Sequence, residues 1–70
     1  MKGASMIRKG FYRVAAMVQD FDVAKIAGKW TVIRGGYPVG FESEKLADAV
    51  AYCNSVKRAE WIAHEAAQEN

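Results

Sequence analysis

The chain has 70 residues, with ten Lys and Arg against eight Asp and Glu, one Pro and one Cys. That is one small domain with no room for a second core, and a single Cys excludes a disulfide framework or a cysteine-cluster metal site. No apolar run approaches the ~18 residues of a membrane span, and residues 1–9 lack the apolar stretch of a secretory signal. The expectation is a cytoplasmic protein with no membrane partner.

Hydrophobic residues make up 51% of the chain, which reads as globular rather than disordered. A chain this short buries only ~60% of its unfolded surface. With no disulfide or evident metal to help, a homodimer is expected.

Residues 1–9 (MKGASMIRK) read as a flexible basic arm, and residues 10–70 as one sheet-plus-helix domain. The segment 11–19 (FYRVAAMVQ) alternates as a strand does, with Tyr12, Val14, Ala16 and Val18 on one side and Phe11, Arg13, Ala15 and Met17 on the other. Residues 20–28 leave two readings open. Asp22 could cap a helical turn that Gly28 ends, or a loop could close in a short strand.

Residues 29–42 carry the best local signal. Two strand-like runs flank Gly35-Gly36, and glycines accept the positive φ of a two-residue hairpin turn. That register sets Arg34 opposite Tyr37, Val32 opposite Val39 and Trp30 opposite Phe41, all on one face. Pro38 has no amide hydrogen for an outer neighbour, so its strand belongs at a sheet edge.

Ser43 is placed to cap a helix rich in alanine, free of Gly and Pro to the end of the chain. Leu46, Ala49, Val50, Cys53 and Val56 form a first apolar stripe for the sheet. Ala59, Ile62, Ala63 and Ala66 form a second, rotated stripe, and Trp61 lies on another side. Either Asn54-Ser55 breaks the helix or one long helix overhangs the sheet, where a second subunit would cover it. The expected fold is α+β: a three-stranded antiparallel meander (about 11–19, 29–34 and 37–42) with a C-terminal helix (about 44–68) on one face.

Little here suggests chemistry. Cys53 and His64 are eleven residues apart, roughly 16 Å along one helix, too far for a nucleophile–base pair. Gly35-Gly36 is turn chemistry, since no helix opens after it to cradle a phosphate. The chain reads as a non-enzyme with no cofactor, metal or small-molecule substrate.

Charge is more informative. Residues 1–34 hold seven Lys and Arg against two Asp, a net +5, whereas residues 42–70 hold three against six acids, a net −3. A basic sheet with an adjacent basic arm suits duplex DNA, with Arg8, Lys9, Arg13, Lys29, Thr31 and Arg34 as contact candidates. The competing reading is a protein-binding adaptor or inhibitor that uses the open sheet face and a helical interface of Ala59, Trp61, Ile62 and Ala66.

The run Gly28-Lys29-Trp30-Thr31-Val32, followed by Gly36, Phe41, Ser43 and Ala47, has the spacing W-x-V…G…F-x-[ST]-x-x-x-A. It resembles the arm-site-binding N-terminal domains of phage and transposon integrases, and is similar to several uncharacterised small bacterial and phage families. The resemblance implies three antiparallel strands followed by a helix, a sheet that reads DNA, and Arg13, Lys29, Thr31 and Arg34 at the contact. It also implies a phage or mobile-element setting.

Overall fold

A computed structural model describes residues 3–69; the first two residues of the expected arm lie outside it. Five strands, β1 (Ser5–Arg8), β2 (Phe11–Val14), β3 (Phe21–Ile26), β4 (Lys29–Arg34) and β5 (Tyr37–Ser43), precede one helix, α1 (Leu46–Gln68). The strands form a single antiparallel sheet in the order β1-β2-β3-β4-β5. The fold is α+β with a C-terminal helix, but the sheet has two more strands than expected.

Both extra strands have a local reason. Ser5–Arg8, expected within the arm, pairs with β2 as β1. Its four residues are all exposed, so no contrast between apolar and polar positions marks it as a strand. Phe21–Ile26, left open between helical turn and strand, is β3 and pairs along its length with β4. Its alternation is plain in three dimensions, with Phe21 and Val23 buried and Asp22 turned to the other face beside Arg13. The expected strand 11–19 ends at Val14, because the Ala16 amide donates to Asp20 Oδ1 at 2.9 Å and helps close the turn into β3.

The double-glycine hairpin forms as its residues dictate. Gly35 and Gly36 have φ of 62° and 84°, and Arg34 faces Tyr37. Further along, the register departs from expectation. Trp30 faces Ser43, not Phe41, and Thr31 faces Glu42. Three residues of β5, Val39, Gly40 and Phe41, therefore lie opposite Val32 alone. Gly40, at φ 92°, supplies the backbone that such a bulge needs. A shift of two residues preserves which face each side chain points to, so Phe41 still packs against the core while Val39 is exposed. Pro38 lies on the edge strand.

The core is small: Val14, Phe21, Val23, Val32, Ala49, Val50 and Cys53 are buried. Tyr12, Trp30, Phe41, Leu46, Tyr52 and Val56 pack around it. Tyr12 and Trp30 meet edge to face at 5.7 Å, and Phe41 stacks on Tyr52 at 4.5 Å. The helix lies across β3, β4 and β5.

α1 is continuous through Asn54-Ser55; Ser55 turns its hydroxyl back to the Tyr52 carbonyl at 2.8 Å. The helix starts at Leu46 rather than 44, because Ser43 is still paired with Trp30 in the sheet. Ser43 Oγ nonetheless accepts the Lys45 amide at 3.2 Å and donates to Asp48 at 3.0 Å, tying the strand end to the first turn.

Candidate functional site

Strand pairing sorts the side chains into two faces. Rows on the helix side are Tyr12, Val23 and Val32, then Val14, Phe21 and Arg34. Rows on the open side are Arg8, Phe11, Ala24, Thr31 and Glu42, then Ser5, Arg13, Asp22, Ile33 and Pro38. Four of the six candidate nucleic-acid residues, Arg8, Arg13, Lys29 and Thr31, thus share the open face.

Their charges are largely spent within the sheet. Arg13 pairs with Asp22 at 3.0 Å across β2 and β3, and Lys29 pairs with Glu42 at 3.6 Å across β4 and β5. Arg8 lies over the Phe11 ring at 4.7 Å. Thr31 is half-buried between Ala24 and Glu42. Lys9 is exposed in the β1–β2 turn. The open face is therefore near charge balance, with Phe11 and Ile33 half-buried in its middle.

Arg34 stands apart from the other five. It points to the helix side, where its two terminal nitrogens donate to the two Glu60 oxygens at 2.7 and 2.8 Å. Its Nε donates to the Gln19 carbonyl at 2.9 Å, and the guanidinium lies 4.1 Å from the centre of the Phe21 ring. The hydrogen bonds from Arg34 hold the Glu60 carboxyl below its ordinary value, and the same contact raises the Arg34 guanidinium. The sheet-facing side of Cys53 is dry: burial pushes its thiol up to about 11.

Arg34–Glu60 also marks where the sheet ends beneath α1. Every described helix residue after Glu60 is exposed. All four residues of the candidate protein interface are exposed on this half of the helix, with Trp61 at 52% and Ile62 at 54%. They do not form one patch. At ~100° per residue, Ile62 is nine residues from buried Cys53 and points directly away from the sheet, and Ala59 and Ala66 flank it. Trp61 is on another side, its ring 5.8 Å from that of His64.

Among the described residues no group of His, Cys, Asp or Glu side chains is placed to hold a metal ion, and no helix is long and apolar enough to cross a membrane. Comparison with protein-family models, curated proteins and solved structures gives no match.

Proposed function

We propose that this chain is a non-catalytic protein-binding module, an adaptor or inhibitor, that works as a homodimer through the projecting half of α1. The observation that carries the reading is the helix itself. It continues for two turns beyond Glu60 with Trp61 and Ile62 about half exposed, although none of the described residues of the sheet packs there. An isolated helix of this length has little intrinsic stability, and a small core gives little surplus. Association would cover the apolar surface and hold the projecting turns.

A dimer joined through the outer side of the helices leaves both open sheet faces pointing outward. Each offers a centre of Phe11, Thr31 and Ile33 framed by the ion pairs of Arg13 and Lys29. Paired charges around a partly apolar centre suit a protein surface better than a phosphate backbone, which rewards unpaired cations. The test is sedimentation equilibrium over a wide concentration range, for the wild type and Ile62→Asp. The expected result is a dimer that Ile62→Asp converts to a folded monomer; a wild type that stays monomeric throughout refutes the reading.

A further inference from the structure

The outer side of α1 carries small and apolar residues at a regular spacing. Ser55, Ala59, Ile62 and Ala66 recur at spacings of four, three and four, and all are exposed, which is the seam of a two-helix coil. Arg58 and Glu65 lie along one flank of that seam, seven residues apart. Neither has an opposite charge three or four residues away on its own helix, where an intrahelical partner would have to be. Arg58 has Asn54, Ser55, Trp61 and Ile62 at those positions, and Glu65 has Trp61, Ile62, Gln68 and Glu69. The three ion pairs of the described residues use neither side chain.

We infer that the partner on this face is a second copy of the chain, its helix antiparallel, in a register set by two reciprocal Arg58–Glu65 ion pairs. This rests on the homodimer proposed above and specifies how it is built. A two-fold axis level with the midpoint of residues 60 and 61 brings Arg58 of each copy to Glu65 of the other on one flank, the self-complementarity that a symmetric dimer requires.

The seam then falls into place without adjustment. In an antiparallel pair with those flanking contacts, Ile62 packs over Ala59 of the other copy and Ala66 over Ser55. Each larger side chain meets a smaller one, so the helices can approach closely. On the opposite flank Val56 meets Ala63, an apolar contact continuous with the core that Val56 already touches. One flank is charged and the other dry. A parallel pairing would instead bring Arg58 to Ala63 of the other copy and form neither ion pair.

Charge reversal tests the register directly. Arg58→Glu and Glu65→Arg each place like charges on both flanking pairs, and each should weaken self-association by roughly tenfold or more. Mixed together, the two variants have opposite charges at both contacts and should form a heterodimer in preference to either homodimer, read by native mass spectrometry. The double variant R58E/E65R should recover the homodimer, which also shows that the reversals have not damaged the fold. If the single reversals associate as the wild type does while Ile62→Asp does not, the register is overturned and the homodimer stands. If the wild type is monomeric at every concentration, both fall.

Discussion

Arg34 and Glu60 clamp the end of β4 to the helix through two parallel hydrogen bonds of 2.7 and 2.8 Å, with the guanidinium also lying 4.1 Å from the Phe21 ring centre. The pair is partly shielded, and it is the last link between sheet and helix before α1 projects. A planar fork matched to a carboxylate is not reproduced by an ammonium. Arg34→Lys should therefore lower the urea midpoint nearly as far as Arg34→Ala does. A lysine variant with wild-type stability would show that only charge matters here.

The same pair sets the acid behaviour. The native Glu60 pKa lies below the ordinary 4.5 because Arg34 favours the carboxylate. Its contribution is complete above the unfolded value and is lost as pH falls through the lower native one. Stability should fall on acidification in that window, and Glu60→Gln should flatten this part of the profile. Urea titrations at a series of pH values between neutral and strongly acidic provide the check.

One half of this clamp was legible in the chain. Gly35-Gly36 fixes Arg34 opposite Tyr37, and that parity places Arg34 on the helix side, although the sequence left open whether the helix runs unbroken past Asn54-Ser55 to reach it. Its partner was not legible, because Glu60 looks like any wetted acid until the crossing position of the helix is known. Asp22 misled for a related reason. It resembles a helix cap in sequence, yet where Asp20 closes a loop onto Ala16, Asp22 makes a second pairing, with Arg13 in the sheet. That second pairing also removes charge from the face that sequence alone makes basic. Gly40 did carry a usable signal, since an isolated glycine within a strand commonly marks a bulge.

Cys53 should behave as a packed methyl-sized group rather than a reactive thiol. It is fully buried, and burial raises its pKa from 9.0 to about 11. The unfolded chain releases this proton first, so the stabilisation is complete below pH 9 and is lost as pH rises towards the native value. The slope across that window reaches ~1.4 kcal/mol per pH unit. Cys53→Ala should remove this alkaline dependence. In the wild type, labelling by a thiol reagent should proceed only as fast as the fold opens, and rapid labelling of the native protein would contradict the placement.

Ala27 is a site where the chain can be improved. It is the only non-glycine among the described residues with positive φ, at 52°, and it precedes Gly28 at 80° in the turn between β3 and β4. A side-chain-bearing residue in this region costs ~1–2 kcal/mol, and two-residue hairpin turns favour Asn-Gly. Ala27→Asn and Ala27→Gly should each raise the thermal midpoint, by about 1 kcal/mol in stability. The reverse experiment is Gly40→Ala, where a Cβ would meet nothing within 4 Å, so any destabilisation reports backbone strain alone. Equal stability of wild type and Gly40→Ala would place the bulge outside the left-handed region.

Trp61 and Ile62 are neighbours with similar exposure, yet their substitution should have different consequences. Ile62 points away from the sheet, at the centre of the seam, whereas Trp61 turns towards His64 on another side of the helix. Neither side chain belongs to the core, so Trp61→Ala and Ile62→Ala should each change folding stability at low protein concentration by no more than ~0.5 kcal/mol. In self-association they should separate. Ile62→Asp places a carboxylate where an apolar side chain meets Ala59 of the second copy, and the dimer should be lost. Trp61→Ala leaves that contact untouched, and its dimer should match the wild type within about twofold. A larger loss on removing Trp61 than on altering Ile62 would move the interface to the indole side of the helix, and the Arg58–Glu65 pairing could not then form.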